Sequence, residues 1–445
     1  MARCLVLGAG GYVGTRLVAA LASAGLAVVA SSRTIDAEAV PVGVRVVRSD
    51  ALDLGPAELE GVDVVYHLVH SLSSPDFAVL DERIARAVAE AAGAAGVRQL
   101  VYLGGPRPRD GEPSDHLASR ARVGDVFLAC PVPALVLQAS MIIGAGSASF
   151  ELLARAARGG PVIPNPAFLR NRSRPIALDD VIRHLLAATG EPVNGCYDIG
   201  GPEVLTYWDL IQRCARAAGL PRRVPLPAAF PTSLAAAATP DTLTRALLES
   251  LQHDLVPSAV LPLDGRTSVD RALRQALDIP TPPLPPADGA LTDHQTLQVH
   301  ADPAALWHAI TTRGGSALPA LWALRGAFDH VAGGPGLHRN RPPHPRAGDI
   351  VDSWTVVHRD DDTRELHLHA DMRLPGRAWL TLRAEPGAAP GESVLRQTTT
   401  FAPDGLLGHL YWRAQKPAHV LVFTLMAHSL ARTAETARRG SGRSG

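Results

Sequence analysis

Lysine is almost missing from this chain. Lys416 is the only one in 445 residues, and arginine supplies the rest of the 43 basic side chains. Any chemistry that needs a lysine amine in the first half of the chain is therefore excluded. Net charge is missing too: 43 acidic residues balance 43 basic ones, which argues against a broad electrostatic footprint for nucleic acid. Cysteine is scarce. Cys4, Cys130, Cys196 and Cys214 form no Cys-x-x-Cys pair and no zinc-ligand spacing with histidines, so no metal site is expected. Long apolar runs are absent. Val420–Ala427 is the longest near the C-terminus, far short of the roughly 20 residues a membrane-spanning helix needs. Met1 leads almost directly into the strand-like Leu5-Val6-Leu7-Gly8 rather than into a secretory signal. These absences together read as a cytoplasmic, reduced protein with no transmembrane segment.

What is present is a globular composition, 46% apolar, in a chain long enough for at least two cores. Arg3–Leu7, Ala27–Ser31, Arg45–Arg48, Val62–Leu68, Gln99–Leu103 and Ala134–Gln138 read as short buried strands. They alternate with Ala-rich helices at Tyr12–Ala24, Phe77–Ala95 and Leu117–Ala129, and Gly25 and Gly96 punctuate helix ends. Continuous apolar strands alternating with helices predict an α/β fold, a Rossmann-type doubly wound parallel sheet over 1–220. Residues 221–286 change to Pro- and Ala-rich texture and read as a helical appendage with a stiff linker. Its apolar stretches, Leu234–Ala238, Leu243–Leu248 and Val256–Leu263, need burial. They pack against both halves or fold back on the first domain as a lid. Residues 287–437 read as a second, α+β domain. Its strands are Leu291–Val299, Asp349–Val357, Leu366–Met372, Ala378–Ala384 and Val394–Phe401, with a short helix Pro303–Thr311 and a closing amphipathic helix Pro417–Ala437. Residues 438–445 read as a disordered tail.

Gly8-Ala9-Gly10-Gly11-Tyr12-Val13-Gly14 follows the first strand and opens the first helix. Gly8 permits a tight turn, Gly11 lets backbone amides approach a pyrophosphate, and Gly14 lets helix and strand pack closely. The strand before, the helix after and the position in the chain agree, so this turn predicts dinucleotide binding. The second strand ends Ser31-Ser32-Arg33 with no acid to accept from a ribose 2′-hydroxyl. Ser32 and Arg33 suit a 2′-phosphate instead, so the cofactor is predicted to be NADP(H). Asp50, with Ala51 beside it, follows the third strand where a carboxylate can meet the adenine amino group. Leu68, Val69 and His70 leave the fourth strand past the cofactor. His67 reads as structural, and His70 points either to the cofactor or to the cleft rim.

These residues resemble the short-chain dehydrogenase/reductase superfamily, in its atypical, NmrA-like branch. The glycine turn, Asp50-x-x-Asp53, Val65-x-His67-Leu68, Arg174–Val181 and Tyr197–Tyr207 carry the likeness, over roughly Met1 to Pro280. The second half resembles a domain of undescribed function with a helix-grip (SRPBCC, START-like) ligand-binding fold. Trp307, Trp322, Leu374–Trp379 and Gly405–Trp412 carry that likeness.

Catalytic members of the superfamily carry a serine after the fifth strand and a Tyr-x-x-x-Lys helix motif. Here Tyr102-Leu103-Gly104-Gly105 holds no serine, and His116-Leu117-Ala118-Ser119-Arg120 places His and Arg where Tyr and Lys stand. His116 and Arg120 lie one turn apart on one helix face, so His116 could donate a proton near neutral pH while Arg120 binds ribose. Alternatively the pair is an ordinary polar face over a degenerate site. Tyr102 and His70 are spare donors.

A helix-grip domain implies an apolar cavity, which Trp307, Trp322, Trp379, Trp412 and Phe423 would line or simply fill. Pro417–Ala431 has an apolar face but few basic residues, which favours core packing over a membrane-surface role. The resulting expectation is an NADPH-dependent reductase of a hydrophobic carbonyl, enone or quinone-like molecule. The alternative is a non-catalytic NADP(H)-binding sensor or assembly protein. The expected partner is a hydrophobic small molecule and not nucleic acid, and the sequence leaves the oligomeric state open.

Overall fold

The computed structural model of the chain describes residues 2–72, 74, 76–108, 111–229, 232–237, 239, 241–313 and 344–441. Contacts divide the chain into two units: Met1–Ala217 with Arg223–Leu277, and Ala218–Arg222 with Asp278–Gly445.

The first unit is built on seven parallel strands: β1 (Arg3–Leu7), β2 (Ala27–Ser31), β3 (Arg45–Val47), β4 (Val64–His67), β5 (Gln99–Gly104), β6 (Ala134–Ala139) and β7 (Gly195–Ile199). Their order is β7-β6-β5-β4-β1-β2-β3, so the direction of winding reverses between β1 and β4. Successive side chains of a strand point to opposite faces, and in β1 both sets are apolar because both faces are covered. Cys4 and Val6 join a core with Leu17 of helix α1 (Tyr12–Ser23) and Val181 and Leu185 of the helix Leu178–Ala187. Leu5 and Leu7 join the other core, with Val88 of α2 (Phe77–Ala95) and Phe127 of α3 (Asp115–Leu128).

The segment Arg223–Leu277 is tied to this unit by buried polar contacts. Asp180, fully buried, accepts from the Thr267 amide at 2.7 Å and the Thr267 hydroxyl at 2.8 Å. Arg213 bridges Glu203 at 2.5 Å and Asp270 at 3.2 Å. Asn171 donates to the Leu251 carbonyl at 2.8 Å. The helix Thr242–Ser250 is thereby brought to the end of the sheet where β1, β4 and β5 finish.

The second unit is a six-stranded antiparallel sheet, in the order Leu291–Val299, Ser393–Pro403, Gly376–Pro386, Glu365–Ala370, Trp354–Asp360, Ile350–Val351. Glu365–Ala370 alternates half-buried and buried residues, the period-two pattern of a sheet with one covered face. Leu366, Leu368, Leu380, Leu382 and Leu395 from that face pack with Leu306 and Ile310 of the helix Pro303–Arg313, and with Phe423, Met426 and Leu430 of the long C-terminal helix.

Three expectations change here. The strand expected over Asp349–Val357 is two strands, Ile350–Val351 and Trp354–Asp360, because the chain turns at Asp352, whose φ of 58 an aspartate tolerates. The closing helix does not begin at Pro417; it runs Gly405–Ser441 with Pro417 inside it. A proline removes one backbone bond, and residues 413–418 are all exposed, so water can take the freed carbonyl. Residues 438–441 are helical rather than tail. Among the described residues, no helix is long and apolar enough to cross a membrane.

The aromatic residues also sort themselves. An apolar cavity of about 180 Å³ in this unit is lined by Trp354, Met372, Leu374, Phe401, Trp412 and Phe423, among others. Trp307 and Trp379 are not in its wall. Trp307 donates to Asp361 at 2.8 Å, and Trp379 donates to the Pro283 carbonyl at 2.9 Å. Trp322 lies outside the described residues.

Candidate functional site

The first unit carries a cleft at the C-terminal end of its sheet, at the reversal between β1 and β4, where open parallel sheets bind ligands. Its outer part is lined by Gly8, Gly10, Gly11, Ser32, Arg33, Asp50, Ala51, Leu68, Val69 and His70. The inner part shares Gly8, Gly11, Leu68 and His70, and adds Tyr12, Val13, Gly14, His116 and Arg120.

The glycine turn is shaped by close approach. Gly8 has φ +83, and its amide and that of Ala9 both donate to the Ser31 carbonyl, at 2.9 and 3.1 Å. A Cβ at Gly8 would meet the Leu68 carbonyl group at 2.9 Å, and one at Gly14 would meet the Gly8 oxygen at 2.2 Å. Gly11, which flanks the start of α1, offers no side-chain cap, so the first amides of the helix are left for a ligand. These observations fit a dinucleotide pyrophosphate.

Arg33 is 72% exposed and stands 3.8 Å from Asp50. An exposed pair at that distance binds weakly, so Arg33 can turn to a phosphate. Asp50 has a structural duty besides any adenine contact. Its Oδ1 accepts from the Leu52 amide at 3.0 Å and caps the turn Ala51–Asp53. Thr34 and Ser49 also line this part.

The inner part holds one permanent cation among its described lining residues, Arg120. Arg120 donates to the Leu103 carbonyl at 2.7 Å, and its guanidinium lies 5.6 Å from the Tyr102 ring centroid. No carboxylate comes within ion-pair distance of it among the described residues. Ser114 caps α3 and so places His116 in the first turn, and His116 Nδ1 lies 3.3 Å from Ser250 Oγ. Burial, with Arg120 and His70 adding to it, pushes the His116 pKa down to about 3. The packed surroundings of His70 and then Arg120 lower that imidazole to about 4, although one side of it opens to the cleft. His116 is thus neutral near pH 7, and the expectation that it donates a proton there as an imidazolium does not hold.

Tyr102 is also corrected. It is 2% exposed in the core, its hydroxyl donates to the Arg120 carbonyl at 3.2 Å, and it is not in the cleft wall. Burial raises its pKa further from use.

His67 packs against Phe127 and Tyr102, and its Nδ1 has no hydrogen-bond partner among the described residues. Burial pushes its pKa down to about 3. As pH falls below about 6.5, the unfolded chain takes up protons that the native His67 and His116 refuse until about pH 3. The unfolded state then binds more protons, so stability is full above pH 6.5 and is lost as pH falls toward 3. His67→Leu is expected to melt no lower than the wild type at pH 7 and to lose less on acidification. Thermal unfolding between pH 7 and pH 4 measures this, and an acid slope unchanged by the substitution would refute it.

Leu243 and Leu247 belong to an apolar stretch that the sequence marked for burial, but other lining residues carried no local signal: Ser250 and Leu255 come from the same Arg223–Leu277 segment, and Ser140, Ile142 and Ser147 from the chain after β6. Their spacing in sequence marks nothing; only the fold brings them to His116.

A family model described as "NAD(P)H-binding" matches residues 8–129. One described as "Protein of unknown function (DUF2867)" matches residues 286–426. No curated protein sequence matches the chain. Among solved structures, the chain is similar to the NAD-dependent NDP-hexosamine 5,6-dehydratase of tunicamycin biosynthesis. Identity is 18% over 63% of this chain and 97% of that one, with a TM-score of 0.46. It is similar to UDP-glucose 4-epimerase from Thermotoga maritima, with 14% identity over 62% and 98%, TM-score 0.48. It is also similar to the Bordetella bronchiseptica enzyme WbmH in complex with NAD+, with 17% identity over 63% and 98%, TM-score 0.48.

Proposed function

We propose that the first unit is an NADP(H)-dependent oxidoreductase that reduces an apolar carbonyl, enone or quinone-like compound. One observation carries this reading: a single cleft joins the glycine turn to an inner chamber with one unpaired guanidinium and apolar walls. When bound, the dinucleotide supplies the hydride. Arg120 holds the negative charge that develops on the substrate oxygen, where a preorganised cation is worth most. His116, kept neutral, orients the substrate by hydrogen bonding, as a neutral imidazole can. Leu72, Leu103, Leu243 and Leu247 exclude water. These leucines keep bulk water from the reacting carbon, and the oxygen takes its proton from a water at the open side of the chamber, beside the exposed His70.

The second reading is a non-catalytic NADP(H) sensor. It is favoured by Gly104-Gly105 standing where catalytic members of the resembled superfamily carry serine. Consumption of NADPH with hydrophobic aldehydes, ketones, enones and quinones separates the two. Turnover of any one supports the reductase; tight NADPH binding with no turnover supports the sensor. The helix-grip reading of the second unit draws support from its antiparallel sheet, its long C-terminal helix and the apolar cavity between them.

The cofactor preference has its own test. Arg33→Ala is expected to weaken NADPH binding by about 10- to 100-fold, the value of a charge-assisted phosphate contact, and to leave NADH binding unchanged. Calorimetric titration of both cofactors measures it. Wild-type affinity for NADH equal to or above that for NADPH would sink the NADP(H) assignment.

A further inference from the structure

We propose that the second unit docks on an anionic lipid surface through the first half of its C-terminal helix. The helix Gly405–Ser441 has two different halves. Its second half packs Phe423, Met426, Leu430 and Ala434 into the core. Its first half turns large apolar side chains outward: Leu406 is 83% exposed, Leu407 73%, Leu410 63% and Leu421 60%. Leu406, Leu410, Pro417 and Leu421 recur at four- and seven-residue steps, so they share one face. Gly408, Trp412 and Phe423 are buried on the other side. Scattered single leucines on a surface need no explanation, but a contiguous stripe marks an interaction site.

Charge identifies the occupant, because a helix that begins at Gly405 carries Arg413 and Lys416, which the expected start at Pro417 left out. No acidic residue lies anywhere between Gly405 and Ala434, whereas Arg413, Lys416 and Arg432 do, Lys416 being the only lysine of the chain. Arg413 and Lys416 are exposed, as are His409 and His428. A second copy of this half of the helix would bring cations against cations, with no carboxylate between Gly405 and Ala434 to offset them. Anionic headgroups complement them, and the leucines fit the apolar layer just beneath, which is the arrangement of an interfacial helix. The same helix walls the apolar cavity through Tyr411, Gln415, Ala418 and His419, so a lipophilic molecule held there would lie next to the bilayer. This inference does not depend on the redox reading of the first unit.

The test is cosedimentation of the full chain with vesicles of phosphatidylcholine alone and of phosphatidylcholine with phosphatidylserine. The chain is expected to bind the anionic vesicles about tenfold more tightly or better, and to release at high salt. The double variants Leu406→Glu/Leu410→Glu and Arg413→Glu/Lys416→Glu are each expected to lose about tenfold or more. Their melting temperatures should be unchanged, because these side chains are exposed. Leu284→Glu, at another exposed leucine of the same unit, should bind as the wild type does. Absence of binding to either vesicle overturns the proposal. So does a wild-type dimer in light scattering that Leu410→Glu splits while vesicles go unbound, because the stripe is then an interface between copies.

Discussion

Gly14→Ala is expected to abolish measurable dinucleotide binding and to lower the melting temperature of the first unit. The added Cβ would stand 2.2 Å from the Gly8 oxygen and 2.9 Å from the Ala9 Cα. Both are backbone atoms of a turn pinned by two amides on the Ser31 carbonyl, so neither retreats without pulling the turn off β2. Forced overpacking of this kind costs typically 1–3 kcal/mol and sometimes more. The distortion lands on the amides that would hold a pyrophosphate, so affinity should fall about 100-fold or more. Gly93→Ala is the control. It lies in α2, its Cβ would meet only Pro131 Cγ at 3.7 Å, and alanine is the better helix former by about 1 kcal/mol. Melting curves and NADPH titration of both variants decide the matter. Wild-type binding by Gly14→Ala would show that the turn does not hold the cofactor.

Arg120→Ala is expected to reduce kcat/KM about 100- to 1000-fold, the usual loss when one preorganised charge-stabilising donor is removed, with a much smaller effect on NADPH affinity. Arg120→Lys should recover part of the loss, since the charge returns without the fork that holds the Leu103 carbonyl. A second readout separates charge from packing. Arg120 is among the causes that depress the His116 and His70 pKa values, so removing it should move both imidazoles upward in an NMR titration. A kinetic loss with no upward movement would mean that Arg120 serves the fold and not the reaction.

The glycine turn was legible in the sequence because its chemistry is local: seven consecutive residues contain the turn, the helix start and the close contact at Gly14. The sheet was legible for a related reason, since strands buried on both faces read as unbroken apolar runs. Residues that act through burial were harder to read. Tyr102 looks like a proton donor until β5 turns it into the core and the Arg120 carbonyl takes its hydroxyl. His116 looks like an acid until the Thr242–Ser250 helix, more than a hundred residues away in sequence, brings Ser250 against it and helps exclude water. Pro417 looks like a helix start, whereas the helix begins twelve residues earlier because the solvent satisfies the carbonyl that a proline frees.

The central claim is hydride transfer from a dinucleotide in this cleft to an apolar carbonyl. The most direct measurement uses NADPH deuterated at nicotinamide C4, incubated with the full chain and each member of a carbonyl, enone and quinone panel, with products read by mass spectrometry. For at least one compound, the account predicts a reduced product carrying the deuterium, formed about 100- to 1000-fold more slowly by Arg120→Ala. Tight NADPH binding with no deuterium transferred to any member of the panel would contradict it.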